Sequence, residues 1–230
     1  TLTGSVRGDI VFLDPVIGVG ELAISDHRSS QPGFDEFLRV ASEAHVAGLM
    51  SDKAGVLHLH LGDGVRGLEL VRRALDETEL PARVFHPTHV NRRKALFEEA
   101  LALAKRGCTV DVTAFPVDDG EDAWSAAEAW ERYHASGAPP ERLTISSDAG
   151  DCLPTFDHDG RLCKMEVGSA HALLDTVRAL LARGHALERV LPAFTRNIAR
   201  HLRLAGKGEI SVGADADLVA LDADGDVADV

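Results

Sequence analysis

Val56-Leu57-His58-Leu59-His60-Leu61-Gly62-Asp63 is the stretch on which the fold turns. Aliphatic and imidazole side chains alternate, and the run stops at a Gly-Asp pair, as a strand does where it enters a loop. Alternation sets His58 and His60 on the same face, with His60 nearer the C-terminal end. Two further runs finish on a polar residue: Arg83–His89, through Phe85-His86-Pro87-Thr88, and Leu143–Asp148, through Ser146-Ser147. Pro87 suits a strand end better than a strand centre. A fourth run, Val16–Ile24, carries Glu21 inside it.

Helical spacing fills the gaps. Phe34–Ala47 repeats Phe34, Phe37, Leu38 and Ala41, Gly67–Leu75 follows the second run, and Arg93–Lys105 is amphipathic through Leu96, Phe97, Ala100, Leu101 and Leu103. Cys108–Thr113 is a strand before a helix over Glu121–His134; Val167–Arg183, Leu187–Phe194 and Thr195–Leu202 make a helical C-terminal block. About five strand-then-helix units predict an α/β fold, with short strands buried on both faces of a parallel sheet. The period then changes: Gly208-Glu209-Ile210 and Asp217–Leu221, joined by a Gly213-Ala214-Asp215 turn, predict a small β element.

Composition narrows the function. The 230 residues carry a net charge of −13, which argues against a nucleic-acid-binding face, since phosphate contacts need clustered Lys and Arg. There is no apolar run of ~18 residues to span a membrane, and no signal peptide opens the chain. Cys108, Cys152 and Cys163 are odd in number and lack zinc-finger or redox spacing, which fits a reducing cytoplasm. Thr1 is not an initiator Met, and Val230 follows closely on a strand-like stretch, so both ends read as cuts.

A lone strand-end histidine is ordinarily a hydrogen-bonded structural residue, and Asp148 alone is an ordinary turn aspartate. His60, His89 and Asp148 at three parallel strand ends suggest more, because zinc takes imidazole nitrogens and carboxylate oxygens. The C-terminal rim of such a sheet is where a barrel's active site lies. His60 is preferred to His58 for its nearness to that rim.

The segments Val16–Ser29, containing Ile24-Ser25-Asp26-His27-Arg28, and Pro87-Thr88-His89-Val90-Asn91-Arg92 resemble the isoaspartyl (β-aspartyl) dipeptidases of the amidohydrolase superfamily. Ser146-Ser147-Asp148 and Gly206-Lys207-Gly208-Glu209-Ile210 extend the resemblance over the chain, though these motifs are shared across the superfamily. It implies part of a (β/α)8 TIM-like barrel over residues 1–205, starting just before the fourth strand, with residues 206–230 as a remnant of a small β-sandwich. It also implies two zinc ions per active site in the full-length protein, with His60 and His89 as ligands and Asp148 as both ligand and catalytic proton carrier. Arg28 and Arg92 match guanidinium groups that hold substrate carboxylates, geometry for which a planar fork is suited. Arg28 could equally pair with Asp26 at the surface.

Many members bridge the metals with a carboxylated lysine. None of the lysines here lies in Val16–Ile24, so Glu21, its only acid, is expected to bridge; the alternative is an acid that orients a ligand. Where the family has a substrate-contacting serine four residues after the aspartate, this chain has Cys152. The family's first-strand His-x-His does not precede Glu21.

The expectation is therefore a metallo-dipeptidase acting on the isopeptide bond of β-aspartyl dipeptides. It is cytoplasmic, homo-oligomeric when full length, and has no nucleic-acid or membrane partner. The alternatives are a dihydroorotase- or hydantoinase-like reaction, N-acyl-amino-acid deacylation, or a catalytically inactive fragment.

Overall fold

In the computed structural model, residues 1–150, 152–156, 159–222 and 225–230 are described. A helix α1 (Val6–Phe12), capped by the Ser5 hydroxyl on Gly8 N, precedes strand β1 (Gly18–Ile24). Then follow α2 (Phe34–Ser51), β2 (Val56–Leu61), α3 (Glu69–Glu77), β3 (Phe85–Thr88), α4 (Lys94–Lys105), β4 (Val110–Thr113), α5 (Ala126–Ala135) and β5 (Leu143–Ser146). At α1, α2 and α5 side chains satisfy backbone N–H groups at the helix start. Glu36 reaches back to Gly33 N ahead of α2, and Ser125 and Glu128 cap each other's backbone at α5.

Strands β1, β2 and β3 pair in parallel in that order, as do β4 and β5. The fold is thus α/β with parallel sheets. Among the described residues no backbone ladder joins β3 to β4; Pro87 has no N–H to give one. Side chains link them instead: Thr88 Oγ1 donates to Asp111 Oδ2 at 2.7 Å, and His89 Nδ1 lies 2.7 Å from Thr113 Oγ1. Asn91 also donates to Thr113 O and accepts from Thr113 N, each at 2.9 Å.

Strands β3 and β4 are buried on both faces, as expected of a parallel sheet, but alternation gives the two faces different chemistry. Leu57, Leu59, Leu61, Phe85, Val110, Val112, Leu143 and Ile145 join the helices in one continuous apolar core. Phe37 of α2 stacks on Phe85 with ring centroids 5.7 Å apart. Burial of each such ring contributes about 1.5–3 kcal/mol. The register pairs His58 with His86, His60 with Thr88, Asp111 with Thr144 and Thr113 with Ser146. The second face is therefore largely polar, and many of these side chains bond to one another.

After β5 the chain departs from the pattern of helical spacing. β6 (Cys152–Phe156) and β7 (Leu162–Val167) form an antiparallel pair, so Val167 ends a strand and α6 starts only at His171, running to Ala182. The periodicity that placed Val167 in a helix fails because its hydrogen bonds go to Cys152's strand. α7 (Leu187–Val190) runs into a 3-10 turn over Leu191–Ala193, and α8 (Arg196–His201) follows. In the tail, Gly208–Ile210 is irregular rather than a strand; β8 (Ala220–Leu221) instead pairs antiparallel with β9 (Val227–Asp229). Gly206 O accepts from Asp215 N, which holds the Gly208 stretch as a loop. Among the described residues no helix is long and apolar enough to cross a membrane.

Candidate metal centre

Glu21 enters from a flaw in β1. The register against β2 slips between Val19 and Leu22, leaving Gly20 and Glu21 opposite His58; such an irregularity re-aims a side chain. The Glu21 carboxylate spans two histidines, with Oε1 3.3 Å from His58 Nε2 and Oε2 3.2 Å from His60 Nδ1. Hydrogen bonds from His58 and then His60 hold its carboxyl well below the usual carboxylate range.

His89 follows β3 in left-handed backbone, φ +59° and ψ +26°, and Asp148 follows β5 at φ +53°. Such backbone is uncommon outside glycine and collects at functional sites. His89 Nδ1 is engaged by Thr113, while Nε2 is buried with no hydrogen-bond partner and points toward the Asp148 carboxylate, 4.0 Å from Oδ2. Burial, helped by the nearby Arg92 guanidinium, pushes His89 down to about 3. It is neutral at pH 7, the form a metal requires.

Ligand atoms of Glu21, His60 and His89 lie within 4.8 Å of one another. An orphaned imidazole nitrogen, a second imidazole and a carboxylate fit a divalent cation of the zinc type. His58 stands two residues back along β2: its Nδ1 is 3.0 Å from His86 Nδ1, and His86 Nε2 is 3.1 Å from Thr144 Oγ1. Beneath them the buried Asp111 accepts from Thr88, Thr144 and Ser146. Burial raises its pKa and lowers that of His86 well below normal. Asp111→Ala would leave three buried hydroxyls without their acceptor. It is expected to cost about 2–4 kcal/mol, read as a lower urea midpoint at unchanged m; an unshifted midpoint would refute the network's structural weight.

Arg28 takes up Asp26 as a bidentate pair, Nε to Oδ1 at 3.0 Å and Nη2 to Oδ2 at 2.7 Å. The surface pairing weighed from sequence is therefore formed, but on a buried partner, Asp26 being 4% exposed. Arg92 is half-buried. Burial first, and then the Arg28 guanidinium, lower its pKa from the ordinary arginine value. Cys152 opens β6, is exposed, and contributes no atom to the Glu21–His60–His89 group among the described residues. A second grouping, Asp26, His27 and Asp63, is more open, with His27 and Asp63 exposed. Sequence reasoning saw Asp26 only as a surface partner. The one signal for more was the Asp-x-Arg spacing, which forms a turn with Arg28 N donating to Asp26 Oδ1 at 2.7 Å.

Parallel strands whose C-terminal ends gather a carboxylate and two imidazoles define the class: an α/β protein with a metal-ligand set on its sheet rim. Residues 60–230 match the amidohydrolase family. The chain belongs to that family, whose members are generally metal-dependent, and its parallel sheets are consistent with part of a TIM-like domain.

Two crystal structures of the β-aspartyl dipeptidase from the thermophilic, keratin-degrading Fervidobacterium islandicum AW-1 are similar. One, in complex with β-Asp-Leu dipeptide, has a TM-score of 0.90 and 42% identity over 96% of this chain and 56% of its own. The other has a TM-score of 0.84 and 40% identity over 97% of this chain and 56% of its own. The chain thus spans about half the length of the enzyme it matches.

Proposed function

We propose that the chain carries the catalytic rim of a metallo-dipeptidase that hydrolyses the isopeptide bond of β-aspartyl dipeptides. The observation that carries this is the unpartnered, buried His89 Nε2 facing Glu21, His60 and Asp148, with Arg28 and Arg92 alongside. A β-aspartyl dipeptide has two free carboxylates, one on each residue, and the two guanidiniums supply two anion holds.

Glu21, His60, His89 and Asp148 would hold the metal, zinc by this reading, with Glu21 as the expected bridging carboxylate. Divalent cations there would lower the pKa of the attacking water and polarise the scissile carbonyl. Asp148 takes the proton released by that water and returns it to the leaving amine. Arg28 and Arg92 fix the dipeptide by its carboxylates, so that the side-chain amide meets Asp148 in one orientation. Cys152, four residues beyond Asp148, borders the substrate.

Residues 1–205 form five strand–helix units of a (β/α)8 barrel, and residues 206–230 belong to a small β-sandwich. The enzyme works in the cytoplasm as a homo-oligomer. Support for the barrel and sandwich readings comes from the parallel pairing, the β8–β9 pair and the two β-aspartyl dipeptidase structures.

The test is hydrolysis by the intact protein of β-Asp-Leu set against α-Asp-Leu, a hydantoin, dihydroorotate and an N-acyl amino acid. Selective cleavage of β-Asp-Leu supports the reading, and preference for any other substrate overturns it. Arg92→Met should then raise KM about 10- to 100-fold, as expected for a lost charge-assisted bond of about 1.5–3 kcal/mol.

A further inference from the structure

Asp26, in the loop after β1, divides its carboxylate between the two halves of the site. Oδ1 accepts from Arg28 N and Nε, while Oδ2 accepts from Arg28 Nη2 and lies 3.2 Å from His60 Nε2. The other ring nitrogen of His60, Nδ1, faces Glu21 Oε2 at 3.2 Å. The imidazole therefore stands between two carboxylates with one nitrogen toward each.

An imidazole that ligates through Nδ1 must carry its proton on Nε2, and a carboxylate fixed beside Nε2 selects that tautomer and ring angle. The approach is built in: a Cβ at Gly62, two residues beyond His60, would overlap Asp26 Cβ, Cγ and Oδ2. Only glycine lets the end of β2 lie this close to the Asp26 side chain.

We infer that Asp26 is a positioning residue shared by metal and substrate. One carboxylate orients His60 for the cation and locks the Arg28 fork in the direction from which it receives the dipeptide. This rests on the proposed dipeptidase reading. It also predicts a coupling that neither Arg28 nor His60 has alone, since loss of Asp26 disturbs both halves together.

The test uses the intact protein and its Asp26→Asn and Arg28→Lys variants. Zinc affinity is measured by competition with a chromophoric chelator, KM and kcat with β-Asp-Leu, and folding by circular dichroism melts. Asp26→Asn should weaken zinc about 10- to 100-fold, the usual effect of removing a ligand's orienting partner, and raise KM. Arg28→Lys should raise KM and leave zinc affinity at the wild-type value. Asp26→Asn with wild-type zinc affinity would overturn the inference.

Should Asp26→Asn fail to fold, nitrogen-15 spectra of the zinc-loaded wild type decide instead. His60 must show a protonated Nε2 and a metal-bound Nδ1, and the reverse tautomer refutes the inference. A wild type that binds zinc but does not cleave β-Asp-Leu overturns the dipeptidase reading while these tautomer and affinity readings still test Asp26's hold on His60. A wild type that takes up no zinc overturns both.

Discussion

Removal of divalent cations by a strong chelator is expected to abolish β-Asp-Leu hydrolysis, and return of zinc to restore it. The cation's charge stabilisation is several kcal/mol, and each 1.36 kcal/mol is tenfold in rate, so the loss should be about three orders of magnitude or more. Stability should fall as well. Without a cation, Glu21 leans on His58 and His60 at 3.3 and 3.2 Å, while His89 Nε2 stays buried with no hydrogen-bond partner. Bound zinc satisfies that nitrogen, and at a hundredfold excess over its dissociation constant adds about 2.7 kcal/mol to folding. The melting temperature should therefore rise with zinc in the wild type and rise less in His89→Ala. Chelation that leaves both activity and melting temperature unchanged would rule out the metal reading.

The strand-end residues were legible because a parallel sheet puts its chemistry where period-2 runs stop. Leu57-His58-Leu59-His60 declares both its strand and its two faces, and Glu21 stands out as the lone acid of an apolar run. What the sequence concealed depended on distance along the chain. Asp26 and His60 are 34 positions apart, and nothing local shows that one carboxylate reaches both Arg28 and His60. Cys108–Thr113 read simply as a strand, yet its Asp111 anchors hydroxyls from β3 and β5.

Short elements were also hard to see. α1 has seven residues, under two turns, too few for a periodic signal to stand out. In β6 a proline interrupts the run at Pro154, and β7 ends in Val167, whose spacing also suits the helix behind it. The hairpin is held by the backbone: Gly150 N donates to Gly168 O at 3.1 Å, and a Cβ on Gly168 would strike the Asp148 carbonyl. The chain beyond Asp148 is thereby pinned against the proposed proton carrier.

Asp148→Asn should lower kcat about 10²- to 10⁴-fold, the range for loss of a positioned general acid–base group, with KM within a few-fold of wild type. The split follows from where the residue stands. Arg28 and Arg92, the proposed holds for the dipeptide, come from the loops after β1 and β3, whereas Asp148 follows β5. Asparagine keeps the shape at a left-handed position that it tolerates well, so the backbone beside Gly168 has no reason to move. Its amide still offers an oxygen to a cation but no longer accepts a proton from water or delivers one to an amine. Zinc content should accordingly persist, held by Glu21, His60 and His89, and metal analysis on the same sample as the kinetics separates the two roles. Turnover within a few-fold of wild type would remove Asp148 from the proton path. Loss of zinc together with activity would make it a ligand first and would move the search for the base to another residue at this rim.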